Sequence, residues 1–130
     1  MSGLSSRRGQ RSLWALLAVM LAVLLAPSVA SACTASAFLS GRDGIFQDWS
    51  GNAVGCNSGW TYSWRIRWYH NGNVLEEHIN ENKRGSTYYS TPSYHNTELY
   101  SSGSDYSVTF FIYHSSTVGN NLVDKASDTL

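Results

Sequence analysis

Beyond residue 32 the chain has few of the residues on which several common functions depend. It contains only two cysteines, and no C-x2-C or H-x3-H spacing, so the tight ligand spacing of a structural zinc site is absent. Six lysines and arginines stand against nine aspartates and glutamates, a net negative balance that argues against the extensive basic surface on which nucleic-acid binding depends. No long apolar run and no helical periodicity occur there. We therefore predict no cofactor, no metal ion and no nucleic-acid partner.

The N-terminal segment has the features of a secretory signal peptide. Three arginines precede an apolar run at 13–26, and Pro27 separates this run from an Ala30-Ser31-Ala32 motif of the kind a signal peptidase reads. The run is too short to span a bilayer comfortably. We therefore predict that residues 1–32 are a signal peptide and that the secreted domain begins at Cys33.

The two cysteines leave two interpretations open. In an oxidising compartment Cys33 and Cys56 are expected to form a disulfide. The alternative is a lipoprotein in which Cys33, as the first exported residue, carries lipid and tethers the domain to the cell envelope. A lipoprotein signal prefers a larger aliphatic residue where this chain has Ala30, so we favour the disulfide and expect no membrane association.

Strict alternation of apolar and polar residues at 60–68 predicts a β-strand with one buried face. Asn71-Gly72 follows, the residue pair best suited to a two-residue type I′ hairpin turn. A second strand at 74–79 should fold back after it. That turn predicts the cross-strand pairs Trp68–Leu75, Arg67–Glu76, Arg65–His78 and Trp64–Ile79, with Ile66–Glu77 as the one poor pair, where a bulge would relieve the mismatch.

A further alternating segment at 106–113 predicts another strand, introduced by a turn at 101–105. Residues 86–100 mix β-formers and turn-formers and are expected to hold one or two short strands. The glycine-rich segment at 41–59 is interpreted as strands with long loops. Together these elements predict an all-β, small antiparallel sandwich over residues 33–122, followed by a polar, frayed tail at 123–130.

The segment from Cys56 to Trp68-Tyr69-His70-Asn71-Gly72 resembles an immunoglobulin domain, in which a cysteine precedes a core tryptophan and a W-Y-x-x-G segment leads into a hairpin. Leu99 to Val108 is similar to the corner-tyrosine region of that fold and of fibronectin type III domains. The resemblance implies an immunoglobulin-like sandwich. Val108 stands where the second cysteine of an immunoglobulin domain would lie, so Cys56 must pair with Cys33 or stay free.

The chain is also similar to the small secreted α-amylase inhibitors of actinomycetes, which are disulfide-bonded β-sandwiches. The shared features are a leading cysteine and a Gly55-Cys56 pair that opens an aromatic strand. That family presents a Trp-Arg-Tyr triplet in the loop between its first two cysteines. The corresponding loop here contains Asp48-Trp49-Ser50, which has the tryptophan of that triplet but not its arginine and tyrosine.

No constellation of residues in the sequence predicts catalysis. The four histidines have no metal-ligand spacing, and no motif brings a serine, a histidine and an aspartate together. We therefore predict that the protein is not an enzyme.

Tyrosine-rich segments are common in binding loops, because tyrosine offers a large contact area at low entropic cost. We predict a secreted, non-catalytic binding domain that contacts a protein or a carbohydrate. The alternatives are a secreted inhibitor or toxin, favoured by an exposed loop that contains Trp49, and a structural cell-envelope protein. The predicted contact residues are Tyr88, Tyr89, Tyr94, Tyr100, Asn71 and Trp49.

Overall fold

A computed structural model describes residues 33–42, 45–99 and 103–130, and these form eight β-strands and no helix. The all-β prediction is confirmed. Residues 1–32 lie outside the described part, so the signal peptide stays a prediction. Within the described part no helix is long and apolar enough to cross a membrane. The strands are β1 (Thr34–Arg42), β2 (Ile45–Val54), β3 (Thr61–His70), β4 (Asn73–Arg84), β5 (Tyr88–Ser90), β6 (Tyr94–Leu99), β7 (Tyr106–Tyr113) and β8 (Leu122–Thr129).

The strands form two antiparallel sheets. In the first sheet β2 lies beside β1 on one side and beside both β5 and β6 on the other. The second sheet has the order β4-β3-β7-β8. The sheets pack face to face around one aromatic core, so the predicted sandwich is confirmed.

The predicted apolar stripes of β3 and β7 form the inner face of the second sheet. Ile66 and Trp68 of β3 and Phe110 of β7 are almost completely buried, as their alternation predicts. The first sheet contributes Leu39, Trp49, Ala53 and Tyr89 to the same core. One polar contact crosses it: the indole N–H of Trp68 donates a hydrogen bond of 2.9 Å to the side-chain oxygen of the buried Gln47. The buried indole N–H of Trp68 therefore has a hydrogen-bond acceptor.

The β3–β4 hairpin has the predicted turn but not the predicted register. Asn71 and Gly72 have φ values of 49° and 80°, as a type I′ turn requires. One extra residue, Leu75, then bulges from β4 and shifts the pairs from Trp68 to Trp64 by one position, and a second irregularity follows between Trp64 and Tyr62. The shift places Ile66 opposite His78 and so removes the poor pairing with Glu77. The observed pairs are Trp68–Glu76, Arg67–Glu77, Ile66–His78, Arg65–Ile79 and Trp64–Asn80.

The expectation of long loops in the glycine-rich segment was wrong. Instead of long loops, residues 41–59 contain the whole of β2, and only residues 43–44 separate β1 from β2. Cys56 does not lie in a strand but in the connection between β2 and β3. Its disulfide with Cys33 is present, as predicted. Because Thr34 pairs with Val54, the bond closes the end of the β1–β2 ladder within one sheet.

The predicted frayed tail is also wrong, because residues 122–129 form β8. The polar side chains of β8 have backbone partners in β1. The Asp124 carboxylate accepts the backbone N–H of Ala35 at 2.9 Å, and the Asp128 carboxylate accepts that of Leu39 at 2.9 Å. An edge strand otherwise presents unpaired N–H groups that invite aggregation. The two aspartates therefore protect the β1 edge and join the two sheets.

Replacing Asp128 with alanine is expected to lower the free energy of unfolding by about 1–3 kcal/mol, because the Leu39 N–H loses a charged acceptor. Asp124→Ala should have a similar effect through Ala35. Urea denaturation followed by tryptophan fluorescence measures both. Lys125→Ala, on the same strand and exposed, is the matched control and should change stability by less than about 0.5 kcal/mol. Equal stability of D128A and K125A would contradict the edge-protection role.

Candidate functional site

Asn71, at the tip of the β3–β4 hairpin, is exposed but its carbonyl oxygen is already engaged. The side-chain oxygen accepts the backbone N–H of Asp105 at 2.9 Å, and the backbone N–H of Asn71 donates to the Asp105 carbonyl at 2.7 Å. These bonds tie the hairpin tip to the chain that leads into β7. Asn71 therefore has a structural role in addition to its predicted surface position.

Two of the predicted tyrosines lie on opposite faces of β5. Tyr88 pairs with Val54 on the outside of the first sheet and is 50% exposed. Tyr89 points into the core, where its ring centroid lies 5.6 Å from that of Tyr62. Its hydroxyl is buried and has no hydrogen-bond partner among the described residues. Of this pair, only Tyr88 is placed to contact a ligand.

Trp49 does not lie in an exposed loop, so its prediction as a contact residue is wrong. It is a β2 core residue with no exposed surface, because it shares the inner face of that strand with Ala53. Tyr94 packs against it, with ring centroids 4.7 Å apart, and is half-buried. Tyr100 lies outside the described residues. The predicted tyrosine-rich patch is therefore not one continuous surface.

Tyr94 belongs to a cluster between the β4 and β6 edges. The ring of His78 stacks on it at 3.9 Å and 7°, and His78 Nε2 lies 2.9 Å from a carboxylate oxygen of Glu76. Burial raises the pKa of the Tyr94 hydroxyl, and the negative charge of Glu76 raises it further. The phenol therefore stays protonated at neutral pH. We assign this cluster to packing at the open edge of the sandwich.

The other histidines are distributed over distant parts of the domain. His70 stacks on Tyr106 at 4.6 Å, and His114 stacks on Trp60 at 4.1 Å. His95 is exposed, and its Nδ1 contacts a carboxylate oxygen of Asp48. Across residues 33–42, 45–99 and 103–130, no three histidine, cysteine, aspartate or glutamate side chains form a group that could hold a metal ion.

The strongest candidate site is the outward surface of the first sheet, which we call the first outer face. The inner positions of β1, Ala35, Ala37 and Leu39, pack on the core, which leaves the alternate side chains in solvent. The same alternation applies to β2 and β5. The face consists of Thr34, Ser36, Phe38 and Ser40 from β1, Asp48, Ser50, Asn52 and Val54 from β2, Tyr88 and Ser90 from β5, and His95 from β6.

This face combines exposed apolar groups with short polar side chains. Phe38, Val54 and Tyr88 are 55%, 47% and 50% exposed, and hydroxyl and amide groups fill the rows between them. Among the side chains that the structure describes on this face, the ionisable ones are Asp48 and His95, and His95 Nδ1 contacts a carboxylate oxygen of Asp48. Strand geometry puts Phe38 and Tyr88 about 16 Å apart, since they differ by four residues along β1 and by two strand spacings. The described part of the face therefore carries few ionisable groups and is long enough for an extended ligand.

Sequence reasoning missed Phe38 and Val54 as surface residues. The signal was present in the segment Ala35 to Ser40, where alanine and leucine alternate with serine and phenylalanine. Phe38, the largest apolar residue of this segment, lies on the same side of the strand as the serines, and this is the unusual feature.

Comparison with known proteins found no match. No protein-family model, no curated protein and no solved structure matches the chain.

Proposed function

We propose that this protein is a secreted, non-catalytic binding domain whose first outer face binds a neutral carbohydrate. The observation that carries the proposal is the exposure of Phe38, Val54 and Tyr88 on a face whose described ionisable side chains, Asp48 and His95, contact each other. Aromatic rings can stack on sugar faces, and serine and asparagine side chains offer hydrogen bonds to hydroxyl groups. A charged ligand would find no unpaired partner among the described side chains of this face.

The disulfide supports export as a free domain. It is consistent with an extracellular protein, since disulfides persist in oxidising compartments. It also occupies the Cys33 thiol, which a lipid anchor would need. The inhibitor alternative depended on an exposed loop with Trp49, and the burial of that residue removes its main support.

We further propose that the sandwich is immunoglobulin-like. The orders β1-β2-β5 and β4-β3-β7-β8 correspond to strands A-B-E and C′-C-F-G of that fold, with β6 as an additional partner of β2. Tyr106 is buried at the start of β7, the position of the corner tyrosine. The inter-sheet cysteine pair of antibody domains is replaced by Val108 in the core and by the Cys33–Cys56 bond.

Affinity electrophoresis through gels that contain a neutral β-glucan, a xylan or a galactomannan tests the proposed function. At least one polysaccharide should retard the oxidised protein. Tyr88→Ala should weaken that binding about three- to tenfold, because it removes one stacking ring. Leu75→Ala, at an equally exposed apolar residue on the other sheet, is the control and should bind like the wild type. Migration unaffected by every polysaccharide, or equal retardation of Y88A and wild type, would contradict the proposal.

A further inference from the structure

The opposite side of the sandwich, which we call the second outer face, carries most of the positive charge. It is formed by the outward side chains of the second sheet, chiefly Arg65, Arg67, Glu77, Ile79, Phe111 and Lys125. With Arg84, which also faces outward, it holds four of the six lysines and arginines beyond residue 32. Among the described acidic side chains, only Glu77 and Glu81 share this face. A net positive surface therefore lies on a domain that has more acids than bases.

Three of these cations surround one aromatic ring. Arg65, Phe111 and Lys125 lie side by side in one row across β3, β7 and β8, with Ile79 beside Arg65 on β4. Arg67, in the next row, holds its guanidinium carbon 6.0 Å from the centre of the Phe111 ring. A carboxylate that entered beside Phe111 would meet positive charge from both sides.

The arginines are only partly neutralised within the domain. Arg65 Nε lies 3.4 Å from Glu77 Oε2, and Arg67 Nε bonds to the same oxygen. A guanidinium has five N–H donors. Arg67 donates its Nε–H to Glu77, whereas Arg65 Nε lies near the same carboxylate but has no hydrogen-bond partner among the described residues. One carboxylate therefore lies beside two arginines, which leaves one positive charge to pair with a further carboxylate. Arg67 has one further side-chain hydrogen-bond partner, Tyr69.

Exposed aliphatic side chains border the cations and indicate the class of partner. Ile79 and Val74, both on β4, are 45% and 46% exposed. Protein interfaces are enriched in arginine and aromatic residues beside apolar contacts. A long polyanion would instead require several uncompensated cations, whereas two of the arginines on this face share Glu77.

We propose that the second outer face docks an acidic, partly apolar segment of a protein partner. A carboxylate of that segment is held by Arg65, Arg67 and Lys125 around Phe111, and a neighbouring apolar side chain packs on Ile79. This interaction goes beyond the carbohydrate proposal and uses the opposite side of the domain, so the two can fail separately.

Nuclear magnetic resonance titration of the oxidised protein with a short, soluble probe peptide tests the inference. In the probe, glutamates alternate with valines and serines, and a second peptide carries glutamine in place of every glutamate. The acidic peptide should shift the backbone amides of Arg65, Phe111 and Lys125, and binding should weaken at high salt. The glutamine peptide should bind at least about threefold more weakly, because it lacks the charged pairs.

Two charge-reversal variants localise the site. Lys125→Glu should weaken binding of the acidic peptide about tenfold, since it replaces attraction with repulsion. Lys83→Glu makes the same change in net charge on β4, where Lys83 pairs with Tyr62 on the inward side of the strand, and should alter affinity by less than about twofold. Tyr88→Ala should have no effect. Equal binding of both peptides, or equal effects of K125E and K83E, would overturn the inference, as would dextran sulfate binding more tightly than the acidic peptide.

Discussion

Replacing Gly51 with alanine is expected to lower the free energy of unfolding by about 3 kcal/mol, the upper end of the usual cost of overpacking a core. A Cβ atom at this position would lie 2.4, 2.6 and 2.7 Å from the Cδ2, Cγ and Cβ atoms of Phe110. Because Phe110 Cβ is fixed by the β7 backbone, rotation of the ring cannot relieve the clash. The two sheets would have to separate locally, and separation costs contacts throughout a close-packed core.

Urea denaturation of Gly51→Ala beside Ser50→Ala isolates this effect. Ser50 is the neighbouring residue on the outer side of β2, so its replacement should change stability by less than about 0.5 kcal/mol. The double variant G51A/F110A should be no less stable than F110A alone, because the new methyl group occupies space that the ring has left. Wild-type stability of G51A would show that the sheets are not packed as closely here as described.

Removing the disulfide is expected to have the second-largest effect. Replacing both Cys33 and Cys56 with serine should lower the free energy of unfolding by about 3 kcal/mol, the chain-entropy estimate for a loop of this size. The two cysteines are 23 residues apart, and their bond fixes the start of β1 against the end of β2. β1 has a ladder on one side only and depends on Asp124 and Asp128 on the other. Loss of the bond should therefore loosen this edge first.

Thermal unfolding with and without reductant measures the disulfide contribution. Reductant should lower the Tm of the wild type to that of the double serine variant, and it should leave the variant unchanged. The intact mass of the exported protein, before and after reduction and alkylation, identifies the same bond and the N-terminus. Two thiols that become accessible only after reduction, on a chain that begins at Cys33, are the expected result. An acylated Cys33, or a Tm insensitive to reductant, would contradict the bond.

Local patterns in the sequence predicted the parts of the fold that depend on neighbouring residues. The alternation in β3 and β7 and the Asn71-Gly72 turn need no knowledge of distant contacts. The register of the hairpin does need it. The Leu75 bulge follows from which side chains the core accepts, although the unfavourable Ile66–Glu77 pair in the regular register already indicated a problem.

The errors have a common physical origin in contacts between the two sheets. Residues 41–59 were interpreted as loop-rich because of their glycines, yet Gly51 lies within β2 to admit Phe110. The polarity of residues 122–129 suggested a frayed end, yet Asp124 and Asp128 serve the backbone of β1. In both cases the residue type is explained by a contact with a strand far away in the sequence, β7 for Gly51 and β1 for the aspartates. No local pattern reveals such a contact.

The sequence predicted that tyrosine contributes to the candidate site, but not which of the predicted residues lie on the surface. Tyr88 is exposed as expected, but period-two alternation sends its neighbour Tyr89 into the core. Trp49 is a core residue for the same reason. The exposed Phe38 and Val54 belong to strands whose bounds no local pattern in the sequence indicates, so no local pattern predicts that they share a face with Tyr88.

The most direct test of the central claim is to map ligand contacts by backbone amide NMR during titration of the oxidised protein with neutral oligosaccharides. We predict concentration-dependent shifts at residues 36–38, 50–54 and 88–90, which include Phe38, Val54 and Tyr88 on the first outer face. The amides around Phe111 on the second outer face should not move. Shifts confined to the second sheet, or no shift with any neutral oligosaccharide, would contradict the proposed binding function.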